Sequence, residues 1–136
     1  VRVNEDGSVI AASLELPAES GGTMGAAGAF RWTESDGLVQ LGGDSATPST
    51  VHDISADGTL IVGQIGSASA PGPAYVWDEA SGMQALGELL EAGGVDMTGW
   101  DLSGGDTQIS ADGNVVIGMG SCGGTRALYR AVLAED

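Results

Sequence analysis

The chain of 136 residues contains no lysine, and its four basic residues are all arginines. A lysine Schiff base, a P-loop and a lysine-derived isopeptide crosslink are therefore excluded within it. Nineteen aspartates and glutamates give a formal net charge of -15. Because such a surface repels phosphate groups, we expect no nucleic-acid partner and little attraction to anionic membranes.

A single cysteine and a single histidine further limit the available chemistry. Cys122 has no partner for an intramolecular disulfide, which leaves a free thiol or an intermolecular disulfide. His52 is the one imidazole that could serve a serine-type triad or a zinc site. Strand alternation is expected to send its neighbour Asp53 to the opposite face. We therefore predict that the protein is not an enzyme and carries no bound transition metal.

Aromatic residues number only six, so the core must be built from valine, isoleucine, leucine and alanine. No apolar run approaches the roughly 20 residues that a membrane-spanning helix needs, and we expect no membrane insertion. Glycine is abundant instead, with 24 residues and no collagen-like period.

Internal repeats are the strongest positive signal in the sequence. The segment Ile54–Gly58 (ISADG) recurs as Ile109–Gly113, each time before a short β-branched run that ends in glycine. A degenerate copy, Val3–Gly7, opens the chain. Two further motifs recur in phase: Ala29–Trp32 as Ala74–Trp77, and Gly37–Gly42 as Gly82–Gly87. Motifs that keep their order and spacing predict structural repeats.

Each repeat predicts four short antiparallel strands, the first two joined by an Asp-Gly turn. The units cover residues 1–43, 51–90 and 107–133 of one repeat domain, 1–136. Leucines and glutamates at helical spacing before Gly93-Gly94 predict a short helix near 86–92. Four-stranded units with this period are typical of propeller blades, but closed propellers have four to eight. We expect an all-β fold of blade-like repeats: a partial propeller that is open or completed by oligomerisation.

The repeated turn residues are predicted to be structural, because aspartate side chains accept hydrogen bonds from nearby backbone amides. They are Asp6, Gly7, Asp57, Gly58, Asp112 and Gly113. Calcium held between units or by acidic loop residues is the alternative for these carboxylates. We expect no other cofactor.

The loop 93–106 lies outside the repeat frame and is the predicted ligand-binding segment. Trp100 could stack against a sugar ring, whereas Trp32 and Trp77 recur in phase and are expected to pack between blades. The candidate ligand-binding residues are Trp100, Asp96, Asp101 and Asp106. The paired carboxylates Asp78-Glu79 and Glu34/Asp36 repeat from unit to unit. Because an active site is usually singular, glycoside chemistry is disfavoured there.

These motifs resemble the HAF family of probable extracellular repeat proteins. The resemblance rests on Ala29–Trp32 and Ala74–Trp77, on the Gly-x-x-x-Leu-Gly segments, and on Ile-Ser-x-Asp-Gly before a Val/Ile-rich strand. It covers nearly the whole chain and departs at the degenerate first Asp-Gly motif and at Ala127–Arg130. It implies a secreted or surface-attached bacterial repeat protein with no known activity.

The predicted function is that of a non-catalytic extracellular or surface repeat module with a structural or interaction role. Sheet faces left uncovered at both ends predict a homo-oligomer or attachment to neighbouring repeats. The alternative is a carbohydrate- or calcium-binding domain that uses the 93–106 loop.

Overall fold

A computed structural model describes residues 2–17, 24–42, 49–66, 71–94, 96–102 and 107–132. Within these ranges the chain forms three antiparallel sheets and one short helix, which confirms the all-β, blade-like prediction. The first sheet contains β1 (Arg2–Val3), β2 (Val9–Pro17), β3 (Met24–Thr33) and β4 (Gly37–Gly42), side by side in that order. The second contains β5 (Ser49–Ile54), β6 (Ile61–Gly66), β7 (Pro71–Asp78) and β8 (Gly82–Ala85), again in chain order.

The third sheet departs from the predicted unit of four hairpin-connected strands. It contains β9 (Trp100–Asp101), β10 (Thr107–Ile109), β11 (Val115–Cys122) and β12 (Thr125–Val132). Strands β10, β11 and β12 lie side by side, while β9 pairs with the end of β11. The segment 107–132 carries no Gly-x-x-x-Leu-Gly motif, so the fourth strand comes from the preceding loop instead.

The predicted helix is confirmed as α1 (Leu86–Ala92), which follows β8 directly. Leu86 is buried on its inner side, and the N–H groups of Gly93 and Gly94 donate to carbonyls of the last turn. Gly94 adopts a positive φ of 94°, a conformation that ends helices and favours glycine. No helix in the described part of the chain is long and apolar enough to cross a membrane.

The hydrophobic core lies in two layers, one on each side of the second sheet. Alternation along its strands sends Ile61 and Tyr75 toward the first sheet, and Val62 and Val76 toward the third. All four side chains are buried. The first layer contains Val9, Ala11, Ala29, Leu41, Ile54, Ile61, Tyr75 and Trp77, and the second Val62, Ala74, Val76, Leu86, Leu102, Ile109, Val116, Tyr129 and Ala131.

Candidate functional site

The repeated aspartates close their own hairpin turns. Asp57 Oδ1 accepts hydrogen bonds from the Ser55 hydroxyl (2.9 Å) and from the N–H and hydroxyl of Thr59 (3.0 and 2.7 Å). Asp112 accepts in the same way from the Ser110 hydroxyl (2.7 Å) and the Asn114 N–H (3.0 Å).

Asp6 accepts from the N–H of Ser8 at 2.9 Å, so the degenerate copy keeps one of these bonds. Hydrogen bonds to the ionised form lower the pKa of Asp6, Asp57 and Asp112, led in each by the side chain of Ser8, Thr59 and Ser110 respectively. One carboxylate oxygen of each aspartate therefore already accepts hydrogen bonds within its own turn.

The three turns also stack on one another in a column. The N–H of Glu5 donates to the carbonyl of Ala56 (2.9 Å), and the N–H of Ala56 donates to the carbonyl of Ala111 (3.0 Å). A Cβ atom on Gly58 would lie 2.6 Å from Cγ2 of Val9, because the second turn packs against the first hairpin. Each sheet is thus held to the next by the same backbone contact, repeated once.

A second contact joins β5 of the second sheet to β10 of the third sheet. The N–H of Thr107 donates to Nδ1 of His52 (3.1 Å), and the N–H of Ile109 donates to Oδ2 of Asp53 (2.9 Å). The expectation that His52 and Asp53 point to opposite faces is therefore wrong. The β-bulge between Val51 and Asp53 shifts the register, so both side chains reach β10.

An arginine and a tryptophan meet between the first and second sheets. The guanidinium carbon of Arg31, on β3, lies 5.5 Å from the centroid of the Trp77 ring, on β7. Trp77 is buried, and this geometry is that of a cation–π contact. The sequence places Trp77 in a recurring motif, but the arginine that faces it follows only from the register between the sheets.

The cavity beside the 93–106 loop collects some of the predicted ligand-binding residues. It has a volume of about 250 Å³, and Asp96, Trp100, Tyr129 and Arg130 line it. Trp100 is half-buried and packs against the second core layer, so only part of its ring is available for stacking. The Tyr129 hydroxyl is buried and has no hydrogen-bond partner among the described residues.

The predicted loop aspartates differ in their surroundings. Asp96 accepts a hydrogen bond from the Thr98 N–H (2.9 Å), and hydrogen bonding to Thr98 lowers its pKa. Asp101 is exposed and pairs with Ser121 in the sheet, away from the cavity lining. Asp106 lies outside the described residues. Within the described part of the chain, no group of three or more histidine, cysteine, aspartate or glutamate residues could hold a metal ion.

The remaining candidates for chemistry lie apart on the surface. Asp78 accepts a hydrogen bond from the Ser81 N–H (2.6 Å) in the β7–β8 turn, and Glu79 is exposed beside it. Glu34 and Asp36 occupy the equivalent turn of the first sheet. Cys122 is a free, exposed thiol at the end of β11.

No family model matches the sequence, and no curated protein matches it significantly.

Proposed function

We propose that this protein is a non-catalytic extracellular or surface repeat module that associates through its sheet faces, with further copies or with neighbouring repeats. The observation that carries the proposal is the repeated sheet-to-sheet contact. Two like interfaces stack three sheets, and at each end of the stack no described residue covers the outer apolar face. Exposed apolar side chains on both faces of a stack favour association.

The acidic, lysine-free surface fits this role. A net charge of -15 keeps a chain with exposed apolar faces soluble and opposes nonspecific aggregation. The resemblance to the HAF repeats supports a location outside the cell or on its surface.

Molar mass in solution, measured by light scattering with a reducing agent present, tests the proposal. We expect a defined oligomer of the 13.5 kDa chain, because two uncovered faces are available. The reducing agent prevents a disulfide through Cys122 from mimicking noncovalent association. A monodisperse monomer at all concentrations would contradict self-association, and loss of the oligomer on chelation would point to calcium between copies.

Carbohydrate binding is the second candidate, and the cavity beside Trp100 favours it. A half-buried indole at Trp100 and a carboxylate at Asp96 are groups that sugar recognition uses. A glycan screen should then give a ligand whose binding is lost in Trp100→Ala and kept in Val39→Ala, which truncates an exposed residue of the first sheet that does not line the cavity. Equal binding by both variants would exclude this site.

A further inference from the structure

The strands of the three sheets can be matched position by position from their register. Each sheet has a forward face, directed toward the next sheet, and a backward face, directed toward the preceding sheet. In the first sheet Ala11 pairs with Arg31. The equivalent pairs are Val62 with Val76 in the second sheet and Ile117 with Arg130 in the third. One position further along, Ala12 pairs with Phe30, Gly63 with Tyr75 and Gly118 with Tyr129. Arg130 therefore occupies in the third sheet the place that Arg31 occupies in the first.

The forward face of the third sheet, defined by Ile117, Leu128, Arg130 and Val132, has no sheet against it among the described residues. Leu128 is 70% exposed, whereas Ala74, its equivalent in the second sheet, is 1% exposed. Ile117 is exposed, whereas its equivalent Val62 is fully buried. The second sheet buries these positions against the third sheet, and the third sheet leaves them open.

The backward face of the first sheet, defined by Val3, Trp32 and Leu38, shows the complementary gap. Val3 is 56% exposed, whereas its equivalent Ile54 is 7% exposed in the first core layer. Trp32 and Leu38 are opposite each other in the register and exposed. Their equivalents in the second sheet are Trp77 and Met83, both packed in the first core layer.

The column of turns ends in the same complementary way. Gly58 and Gly113 are both covered by side chains of the preceding hairpin, whereas a Cβ atom on Gly7 would meet nothing within 4 Å. At the other end, Ala111 is the equivalent of Glu5 and Ala56, whose N–H groups each donate to the carbonyl of the next turn. The N–H of Ala111 has no backbone acceptor among the described residues.

We propose that the forward face of the third sheet binds the backward face of the first sheet in a second copy of this chain, with Arg130 lying over Trp32. This contact repeats the internal one, in which Arg31 lies over Trp77. It would also place Gly7 of the second copy against the Ser110–Val115 hairpin and offer the Glu5 carbonyl to the Ala111 N–H. The inference rests on the proposed function and names its partner and its surfaces.

Two copies arranged in this way supply six blade-like units, which is within the range of closed propellers. Each copy would then use both of its open faces, in two equivalent contacts related by a twofold axis. The expected species is a dimer of twice the 13.5 kDa chain mass.

The test compares Arg130→Glu and Trp32→Ala with the unaltered chain by light scattering and analytical ultracentrifugation in reducing buffer. We expect each variant to weaken the dimer by at least about tenfold, because each removes one partner of the cation–π pair. Thr125→Glu adds a negative charge at an exposed position of the same strand on the face opposite Arg130, and Val39→Ala truncates an exposed residue on the opposite face of the first sheet. Both controls should keep the dimer, and circular dichroism should show all four variants folded.

Mixing the two defective variants tests the head-to-tail geometry. Arg130→Glu keeps a competent Trp32, and Trp32→Ala keeps a competent Arg130, so an equimolar mixture should recover part of the dimer that neither forms alone. A dimer that pairs two third sheets would ignore Trp32→Ala, so this variant would dimerise fully by itself and mixing would add no further dimer.

The outcomes separate the two proposals. A wild-type oligomer that neither variant shifts overturns the Arg130–Trp32 contact and leaves the proposed function standing. A wild-type monomer overturns the dimer and the self-association part of the proposed function, and leaves only association with neighbouring repeats of a different chain.

Discussion

The hydroxyl of Tyr75 donates a hydrogen bond to the backbone carbonyl of Thr50 at 2.8 Å, inside the first core layer. Tyr75 is fully buried, and burial raises the pKa of its hydroxyl. Tyr75→Phe removes the donor and leaves a buried carbonyl short of a partner. We expect the free energy of unfolding to fall by about 1–2 kcal/mol, measured by urea denaturation.

Tyr129→Phe is the matched control for this change. Tyr129 holds the equivalent register position in the third sheet, and its hydroxyl has no hydrogen-bond partner among the described residues. Burial raises the pKa of Tyr129 to about 12. Removing this hydroxyl should leave stability unchanged or raise it slightly. Equal losses in the two variants would show that the Thr50 contact contributes nothing specific.

Gly58 combines a positive φ of 78° with close packing against Val9. In Gly58→Ala the left-handed backbone should cost about 1–2 kcal/mol, and the overlap with Val9 about 1–3 kcal/mol more. Gly82 has a similar φ of 73°, but a Cβ atom there would meet nothing within 4 Å. Gly82→Ala should therefore lose only the backbone part. Thermal unfolding measures both, and equal losses would mean that the stacked turns are loosely packed.

Acid should remove the stabilising effect of the Asp57 carboxylate. Hydrogen bonds from Thr59 and Ser55 lower the pKa of Asp57 below its ordinary value of 3.8, so the folded state favours the ionised form. This contribution is fully present above pH 3.8 and is lost as the pH falls through the lowered folded-state pKa.

Asp57→Asn keeps the shape of the side chain and removes its charge. It should be less stable than the unaltered chain at neutral pH, and the difference should shrink below pH 3.8. Glu79→Gln makes the same change in net charge at an exposed turn position and controls for general repulsion. If the loss of stability caused by Asp57→Asn stayed constant with pH, the Asp57 carboxylate would not be the source of the pH dependence.

Salt should strengthen the proposed dimer. Each copy carries a net charge of -15, so association brings two strongly acidic chains together. Raising the ionic strength from about 0.01 M to 0.15 M shortens the Debye length from about 30 Å to 8 Å and screens this repulsion. Sedimentation equilibrium across that range should give a falling dissociation constant. A dissociation constant that rises with salt would indicate that attraction between opposite charges holds the copies together.

The sequence predicts the blades well because period and hydrophobic alternation are local properties. The Asp-Gly turns, the aromatic strands and the helix at 86–92 each depend on a few adjacent residues, and the structure contains all of them. The fourth strand of the third sheet was harder to predict. Trp100 and Asp101 pair with β11 through a contact between distant parts of the chain, which no short motif encodes.

Contacts between sheets were also beyond local patterns. Arg31 reaches Trp77, and His52 reaches Thr107, only because the packing and the bulge after Val51 bring those pairs together. The loop residues Asp96 and Trp100 do line one cavity, while Asp101 pairs with Ser121 and is not part of its lining. Shared position in a loop does not determine which side chains converge.

The second sheet is covered on both faces, and this arrangement predicts the order in which the sheets unfold locally. Amide protons of β6 and β7 should exchange with solvent only in global unfolding, whereas the outer sheets can fray first because each is covered on one side. Protection from hydrogen exchange should therefore be highest in the middle of the stack and fall toward both ends. In the proposed dimer both end faces would be covered, and the protection of the first and third sheets should rise toward that of the second.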